Sequence, residues 1–273
     1  MISAIAFDLD DTLAPSKSKV PDELGHLLME IARHMPVCVI SGGRFEQFDT
    51  QLLGSLSGTP EEFANLHLMP TCGTKYFRYE SGHWEMVYTE DLTPDEVRRA
   101  KASLERGAKS LGLWEPDSAV FGARIEDRGS QVTFSALGQE APVALKHAWD
   151  ASGQKREVLR ECVQHDLPDL EVRAGGSTSI DVTRRGIDKA YGIREFARII
   201  GVDFPDILFV GDRLEPGGND FPVIALGVAT RAVTGPDDTT AFARGFVVQL
   251  EEFVVQRDGR AELRRGRDRP GGG

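Results

Sequence analysis

Three short apolar runs of the chain end directly at polar segments, and this feature limits the fold more than any other. The runs are Ile2–Phe7, Val37–Ile40 and Ile207–Val210. Short, mainly apolar runs of this length are typical of strands buried on both faces of a parallel sheet. Between the first two runs, apolar residues recur at helical spacing, at Leu24, Leu27, Leu28 and Ile31. The sequence therefore predicts strand–helix–strand units and an α/β fold built on a doubly wound, Rossmann-like parallel sheet.

The pattern changes between about residues 85 and 185. Thr93-Pro94-Asp95-Glu96 predicts a capping box that opens a helix ending near Leu111. After it we predict a hairpin over 123–135, helices near 142–149 and 155–165, and strands near 170–174 and 178–183. Because these elements do not alternate strictly between strand and helix, they favour an α+β domain inserted into the doubly wound core.

We therefore predict a discontinuous core domain (residues 1–84 and 186–255), an inserted domain (residues 85–185) and a tail (residues 256–273). Lys75–Tyr79 and Trp84–Tyr88 predict a hairpin that leads away from the parallel sheet. The tail contains six arginines and ends in Pro-Gly-Gly-Gly. We predict that the tail is a disordered terminus, with a basic recognition arm as the alternative.

The composition limits the partners of the chain. Its 273 residues carry a formal net charge of −11, which argues against general binding to nucleic acid or to anionic membranes. No apolar run approaches the roughly 20 residues of a membrane helix, and Asp8 comes too early for a signal peptide. Three scattered cysteines, Cys38, Cys72 and Cys162, form no disulfide or zinc framework, so we predict a cytoplasmic location. The sequence leaves a homodimer open.

Polar side chains follow each of the three predicted strands. Asp8 and Asp10 come after the first strand, Ser41 after the second and Asp212 after the third. In open α/β sheets, ligands bind beyond the carboxyl ends of the strands. Side chains two residues apart on an extended segment share a face, so Asp8 and Asp10 should converge on one point. Together with Asp212, these carboxylates predict a Mg²⁺ site, because Mg²⁺ binds few protein oxygens and leaves room for water and phosphate.

The same residues suggest phosphoryl-transfer chemistry. One carboxylate can act as a nucleophile on phosphorus, and a second, two residues on, can donate a proton to the leaving oxygen. The Ser41 hydroxyl and nearby backbone N–H groups could bind phosphoryl oxygens, although Ser41 could instead cap the following helix. Lys189, at the predicted start of a helix, could neutralise the attacking carboxylate and the transferring group.

Four segments of the chain, "FDLDDTL", "VISGG", "GIDKAYG" and "FVGDRLEPGGND", resemble the four ordered motifs of the haloacid dehalogenase (HAD) superfamily. The resemblance implies that Asp8 is the nucleophile, Asp10 the general acid/base, Ser41 and Lys189 the phosphate stabilisers, and Asp212 a magnesium ligand. It also implies that the inserted domain is an α/β cap of the type IIB kind. The long loop that ends at Asn219 and Asp220, which would support the fourth motif, is similar to that of eukaryotic-type phosphomannomutases.

The resemblance to phosphomannomutases also suggests which residues bind the substrate. These enzymes hold the distal phosphate and the sugar with several arginines, a serine and an aspartate of the cap. The positions that would bind substrate here are Lys17, Gly42, Arg128, Gln139, Ser179 and Asp181. Two of them depart from the family pattern, because Gln139 and Lys17 replace arginines, and a glutamine cannot form the bidentate phosphate contact of an arginine. Arg128 could also be a solvated residue at the tip of a hairpin.

We therefore predict a Mg²⁺-dependent phosphotransferase that acts on a small phosphorylated sugar through an aspartyl-phosphate. The weakened cap favours a sugar-phosphate phosphatase, and the overall resemblance favours the alternative, a phosphomannomutase. A remote alternative is a phospho-accepting signalling receiver, which also uses an acidic cluster, a hydroxyl group and a lysine. A receiver needs about half this length and no insert of a hundred residues, so the architecture argues against it.

Overall fold

The computed structural model describes residues 2–16 and 18–253, and the backbone of the last helix as far as Arg267. The strands are β1 (Ala4–Asp8), β2 (Val37–Ile40), β3 (Leu66–Met69), β4 (Lys75–Glu80), β5 (His83–Thr89), β6 (Ile125–Asp127), β7 (Gln131–Ser135), β8 (Leu170–Ala174), β9 (Ser179–Arg184), β10 (Ile207–Gly211) and β11 (Ala229–Ala232). The helices are α1 (Asp22–Ala32), α2 (Phe45–Gln51), α3 (Pro60–Ala64), α4 (Pro94–Ser110), α5 (Val143–Trp149), α6 (Gln154–Asp166), α7 (Lys189–Ile200), α8 (Phe221–Ile224) and α9 (Pro236–Arg267).

The larger of the two sheets has the strand order β11-β10-β1-β2-β3-β4-β5. The five strands from β11 to β3 pair in parallel, which confirms the predicted α/β class. The central strand β1 lies between β10 and β2, so the carboxyl ends of all three predicted strands meet at one edge of the sheet. This arrangement brings the polar segments after those strands together.

Both faces of this sheet are buried, as the short apolar runs predict. Ile5 and Phe7 of β1 pack in a core with α1 and α9 on one face. Ala4 and Ala6 pack in a second core with α7 on the other face. Successive side chains of a strand point to opposite faces, so a strand covered on both sides needs an apolar residue at every position.

Residues at the ends of α1 and α7 explain where these two helices of the larger sheet begin and end. Asp22 and Glu23 lie in the first turn of α1, where acidic side chains interact favourably with the helix dipole. The side chain of Asp188 caps α7 by accepting a hydrogen bond from the backbone N–H of Tyr191. Gly201 ends α7 in a left-handed conformation (φ 69°), which glycine adopts without steric cost. The cap at Asp188 fixes the start of α7 and hence the position of Lys189.

The hairpin formed by β4 and β5 corrects one prediction. It does not lead away from the parallel sheet but extends it, because β4 pairs antiparallel with β3 through Leu68 and Phe77. The open edge of β3 supplies the unpaired backbone groups that make this addition favourable. As a result, β5 crosses the predicted domain boundary after residue 84. The division into domains remains a prediction.

The smaller sheet is antiparallel, with the order β6-β7-β9-β8. One face is apolar and packs on α4 and α6 through a cluster that includes Val132, Phe134, Ile180 and Val182. The helix α4 begins with the predicted capping box, in which Thr93 and Glu96 each bond the other's backbone N–H. Along β7 and β9, the residues between these apolar positions point to the opposite face. They are polar: Gln131, Thr133, Ser179, Asp181 and Thr183.

Several contacts join the smaller sheet to the carboxyl edge of the larger one. The Thr74 hydroxyl donates to the Ser130 hydroxyl (2.5 Å), and Arg173 of β8 pairs with Asp188 at the start of α7 (3.1 Å). The polar face of the smaller sheet therefore lies beside the edge that carries the predicted site.

At the other end of the chain, the predicted tail begins within α9, whose side chains are described only to Phe253. The tail prediction thus falls outside the residues described in full.

Candidate active site

The carboxylate of Asp8 lies at the carboxyl end of β1, and only 3% of the residue is exposed. Its Oδ1 lies 2.5 Å from Nζ of Lys189, and the same Nζ lies 2.5 Å from Oδ1 of Asp220. Lys189 is the first residue of α7, and Asp220 directly precedes α8. One buried ammonium group is therefore shared by two buried carboxylates.

Burial and the neighbouring charges oppose each other at these groups. Burial raises the pKa of Asp8 well above its usual value, and Lys189 lowers this pKa, while Asp220 raises it further. At Lys189, burial favours the neutral amine, but the two carboxylates outweigh burial and raise the pKa of the ammonium group. Lys189 therefore stays charged, and a further cation beside Asp8 would favour the ionised carboxylate.

Asp212, directly after β10, brings a third carboxylate to this point. Oxygens of Asp8, Asp212 and Asp220 lie within 4.8 Å of one another. The Thr12 hydroxyl lies between two of these groups, 3.5 Å from Oδ2 of Asp8 and 3.4 Å from Oδ1 of Asp212. Burial raises the pKa of Asp212, and the charge of Asp220 raises it further. Three carboxylate oxygens at this spacing suit a hard divalent cation such as Mg²⁺, which would offset their repulsion.

The loop after β10 holds Asp220 in place. The backbone N–H of Arg213 donates to Oδ2 of Asp220 (3.0 Å). A Cβ at Gly211 would lie 2.4 Å from the same oxygen, so only glycine leaves room for this carboxylate. Asn219, its neighbour in the predicted fourth motif, is exposed. Within this pair, it is therefore Asp220 that joins the cluster.

The carboxylate of Asp10, which we predicted to bind the metal, is not among the three carboxylates that converge. Its Oδ2 accepts a hydrogen bond from the side-chain amide of Gln47 on α2 (2.7 Å). The strand ends at Asp8, and the chain then turns through Asp11, whose φ is 59°. Asp10 lies between the end of the strand and this turn, and its carboxylate is bonded to α2. Asp10 still lies close enough to raise the pKa of Asp8.

Ser41 follows β2 and is buried beside the predicted nucleophile strand. Its Oγ accepts a hydrogen bond from the backbone N–H of Gly43 (3.0 Å). It does not cap α2, whose N-cap residue is Arg44. Its backbone carbonyl accepts from the N–H of Cys72 (2.9 Å), the middle one of three consecutive residues with positive φ. The Ser41 loop is therefore fixed from both sides.

The guanidinium of Arg128 bridges the two sheets. Its Nη1 donates to the carbonyl of Gly42 (2.8 Å), its Nε to Glu126 (2.7 Å) and its Nη2 to Oε1 of Gln139 (3.3 Å). Glu126 also pairs with Arg44 at 3.2 Å. Arg128 is thus no solvated hairpin tip, because it contacts the loop after β2. The structure brings together three of the predicted substrate-binding residues: Gly42, Arg128 and Gln139.

Ser179 and Asp181 lie side by side on β9, as their parity predicts. A Cβ at Gly175 would come within 2.7 Å of Oγ of Ser179 and within 2.6 Å of Oδ2 of Asp181. The Thr133 hydroxyl donates to Oδ1 of Asp181 (2.7 Å). Burial raises the pKa of Asp181, and the charge of Arg128 opposes this shift. Both residues therefore belong to the polar face that contains the Arg128 contacts.

Sequence reasoning missed three residues that contact the predicted site, and a fourth residue, which it did predict, is not described by the structure. Thr12, Gln47 and Glu126 contact predicted functional residues. Only Thr12 offered a sequence signal, since it follows the acidic cluster directly. Lys17, predicted to contact substrate, lies outside the described residues.

Two further findings concern the setting of the protein. None of the described helices is both long enough and apolar enough to span a membrane. Cys38, Cys72 and Cys162 are free thiols. The cytoplasmic location and the assembly state remain predictions.

In sequence, the chain is similar to phosphomannomutases. The family model of eukaryotic phosphomannomutase matches residues 120–248. A probable phosphomannomutase of Caenorhabditis elegans is 23% identical over 259 residues, which cover 90% of this chain and 96% of the relative. The phosphomannomutase of Spinacia oleracea is 26% identical over 244 residues, covering 85% and 91%. Human phosphomannomutase 1 is 24% identical over 252 residues, covering 87% and 89%.

Solved structures of low sequence identity share the fold. IMP-bound, N-terminally truncated IMP-nucleotidase of Plasmodium falciparum has a TM-score of 0.68 and 16% identity, and the match covers 91% of this chain and 68% of that one. A haloacid dehalogenase-like hydrolase of Bacteroides thetaiotaomicron has a TM-score of 0.59 and 17% identity, covering 90% and 100%. The family match, the relatives and these shared folds together support a phosphomannomutase-like protein of the HAD superfamily.

Proposed function

We propose that the protein is a Mg²⁺-dependent phosphotransferase that moves a phosphoryl group between positions of a hexose phosphate, through a phosphorylated Asp8. The observation that carries this proposal is the buried cluster of Asp8, Lys189, Asp212 and Asp220 at the carboxyl edge of the parallel sheet. The mutase type is supported by relatives named phosphomannomutase, which align with 90% of the chain for the nematode protein and 85% for the spinach protein. The hydrolase prediction thereby becomes the second candidate, and the receiver loses support.

Asp8 is the proposed nucleophile. One of its oxygens attacks phosphorus and forms the aspartyl-phosphate, which requires the ionised carboxylate. Lys189 favours that form by direct contact, and its charge also stabilises the negative charge on the transferring group. Since Lys189 contacts Asp220 as well, it is held on two sides before substrate arrives. This fixed position reduces the reorganisation needed in the transition state.

HAD-family phosphotransferases generally use Mg²⁺, and the residues of this chain fit it. Asp8, Asp212 and Asp220 offer only oxygen ligands, and Asp10 is no longer proposed as a ligand through its carboxylate. When bound, the ion would supply positive charge to the phosphoryl oxygens. The Thr12 hydroxyl contacts Asp8 and Asp212 and would keep their carboxylates oriented.

Asp10 is the proposed general acid and base. It would protonate the sugar oxygen as the phosphoryl group leaves for Asp8, and later take the proton of the hydroxyl that accepts the phosphoryl group. Ser41 would donate its hydroxyl hydrogen to a phosphoryl oxygen, since its oxygen already accepts from Gly43. These roles need no residue beyond the carboxyl edge of the sheet.

The polar face of the smaller sheet is proposed to hold the rest of the substrate. Arg128, Ser179 and Asp181 lie on this side, and Arg128 already reaches the loop after β2 through the Gly42 carbonyl. A guanidinium suits a distal phosphate, while Ser179 and Asp181 suit sugar hydroxyls. The proposal that Lys17 and Gly42 also bind substrate rests on the resemblance to phosphomannomutases.

One contact favours hydrolysis as the second candidate. Gln139 occupies the position of a family arginine and accepts from Arg128 through its Oε1 at 3.3 Å. A neutral side chain there provides less positive charge for a second phosphate than two arginines would. A cap that holds a second phosphate weakly would favour transfer of the phosphoryl group to water.

The product decides between the two candidates. The protein is incubated with Mg²⁺ and hexose 1-phosphates, mannose 1-phosphate first, with a trace of the hexose bisphosphate. Isomerised hexose 6-phosphate and released phosphate are measured separately. We expect hexose 6-phosphate to exceed released phosphate. Phosphate release without isomerisation would replace the mutase by the hydrolase, and the absence of both products would reject the function.

Removal of the metal should abolish activity. In EDTA the three carboxylates repel one another and nothing supplements the charge of Lys189, so we expect turnover to fall by at least about a thousandfold. Mg²⁺ should restore it, and Ca²⁺ should restore little, because it prefers longer bonds and more ligands. Mg²⁺ should also raise the melting temperature of the wild type but not of Asp212→Asn, a readout independent of activity. Full activity in EDTA would contradict the proposed metal site.

Arg128→Ala should affect sugar phosphates selectively. We expect kcat/KM for a hexose phosphate to fall about 10- to 100-fold, the effect of losing one charged hydrogen bond or two. p-Nitrophenyl phosphate has no sugar to contact this residue, so its kcat/KM should change little. Arg98→Ala is the control, because Arg98 is exposed and pairs with its neighbour Asp95. Equal losses on both substrates would mean that Arg128 does not bind the sugar part.

A further inference from the structure

The side chain of Gln47 contacts the proposed acid and base, although nothing in the motifs points to it. Gln47 lies in the first turn of α2, and its Nε2 donates to Oδ2 of Asp10 at 2.7 Å. An amide N–H bonded to a carboxylate oxygen limits rotation of the carboxylate. Asp10 lies past the end of β1, in an isolated β-bridge with Ala14. The hydrogen bond from α2 acts on its side chain and therefore adds orientation to the carboxylate.

Gly43 makes this contact sterically possible. A Cβ at position 43 would lie 1.8 Å from Oε1 and 2.6 Å from Cδ of Gln47. The amide of Gln47 thus passes directly over the α-carbon of Gly43 on its way to Asp10. The backbone conformation of Gly43 does not itself demand glycine, since its φ is not among the positive values. The absence of a side chain is what the Gln47 amide requires.

The charge of the partner also matters. Asp10 already stands near Asp8, which contacts Lys189 and is one of the proposed metal ligands. A lysine or arginine at position 47 would add a further cation to this site. Glutamine donates a hydrogen bond without adding charge, so it can hold Asp10 while leaving the charge balance to Lys189 and the metal.

We propose that Gln47 is a positioning residue that orients the Asp10 carboxylate toward the oxygen of the leaving group, through the space left by Gly43. This inference rests on the proposed function, because it assumes that Asp10 is the general acid. Gln47 itself touches neither the phosphoryl group nor the leaving oxygen in this proposal. Its removal should therefore weaken protonation of the leaving group and leave the attack by Asp8 intact.

The test compares substrates that differ in their need for protonation. An alkoxide such as that of a hexose phosphate leaves poorly without an acid, whereas p-nitrophenolate leaves readily. We measure kcat/KM, which covers the steps through release of the leaving group, for a hexose phosphate, phenyl phosphate and p-nitrophenyl phosphate. The proteins are the wild type, Gln47→Ala, Gly43→Ala, the double variant and Asp10→Asn. The control is Gln51→Ala, since Gln51 lies one turn on in α2 and its amide bonds the Ser18 carbonyl instead.

For Gln47→Ala we expect a loss of about tenfold or more on the hexose phosphate, an intermediate loss on phenyl phosphate and less than about twofold on p-nitrophenyl phosphate. Gly43→Ala should show the same order, because the new Cβ displaces the Gln47 amide. In the Gln47→Ala background, Gly43→Ala should change the leaving-group dependence no further. Gln51→Ala should affect all three substrates equally, whatever it does to stability.

Asp10→Asn separates failure of this inference from failure of the proposed function. If Asp10→Asn shows a strong leaving-group dependence and Gln47→Ala shows none, the positioning role is wrong and the acid role of Asp10 stands. If Asp10→Asn shows equal losses on all three substrates, the acid role itself is wrong, and the inference falls with it.

Discussion

Asp8→Asn is expected to lower kcat by at least about a thousandfold on every phosphate ester, whatever its leaving group. The amide that replaces the carboxylate keeps its shape but cannot attack phosphorus. Because Asp8 is the proposed nucleophile, the loss should be as large for p-nitrophenyl phosphate as for a hexose phosphate. This uniform loss distinguishes Asp8 from Asp10, whose replacement should spare the good leaving group.

The folded state of this variant should be retained. Lys189 keeps its contact with Asp220 when Asp8 becomes neutral, and burial already penalises the ionised form of Asp8. The matched control is Asp49→Asn, because Asp49 is an exposed aspartate on α2. Steady-state kinetics and circular dichroism on both variants check the prediction. Residual activity of Asp8→Asn above about 1% of the wild type would point to another nucleophile.

Lys189→Met should destabilise the protein as well as inactivate it. Lys189 is 1% exposed and is the cation between Asp8 and Asp220, which are 3% and 0% exposed. Removing one partner of a buried ion pair leaves an uncompensated buried charge and typically costs about 3–5 kcal/mol. We expect the free energy of unfolding, measured with urea in the absence of Mg²⁺, to fall by about this amount.

A double variant separates stability from catalysis. Lys189→Met combined with Asp220→Asn removes one of the two charges that the single variant leaves unpaired. The double variant should therefore recover part of the lost stability, but it should remain inactive because the proposed phosphate-stabilising cation is still missing. An active double variant would contradict the role of Lys189 in phosphoryl transfer. An unchanged free energy of unfolding in the single variant would contradict the energetic account of the buried pair.

The architecture followed from the sequence because burial on both faces leaves a direct signal. The residues of β1 are apolar at every position as far as Phe7, and the sheet is covered on both sides. The capping box of α4 and the shared face of Ser179 and Asp181 were also predictable, because each depends only on residues that are close in the chain.

The failures arose where distant segments meet. The β4–β5 hairpin has the same local sequence whether it leaves the sheet or joins it, and the pairing of Leu68 with Phe77 decides. The carboxylate of Asp10 was expected among the metal ligands, but it accepts a hydrogen bond from Gln47 on α2. Asp220 joins Asp8 and Asp212 in the cluster, because the loop after β10 returns to Arg213, whose N–H bonds the Asp220 carboxylate. No local pattern encodes such contacts.

The contacts of Arg128 show a similar limit. The resemblance to phosphomannomutases pointed to Arg128 and to the replacement at Gln139, but not to a hydrogen bond between them. Nor did it indicate that Glu126 would bridge Arg128 and Arg44. The sequence thus predicted substrate-binding positions in the inserted domain, and the structure shows the contacts of Arg128 with its neighbours.

The most direct test of the account is to find the phosphoryl group on the enzyme. The wild-type protein is mixed with Mg²⁺ and a hexose 1-phosphate, quenched rapidly in sodium borohydride, digested and analysed by mass spectrometry. Borohydride reduces an aspartyl-phosphate to homoserine, so the account predicts homoserine at position 8, dependent on substrate and absent from Asp8→Asn. Homoserine at another aspartate, or turnover without any reduced aspartate at position 8, would contradict phosphoryl transfer through Asp8.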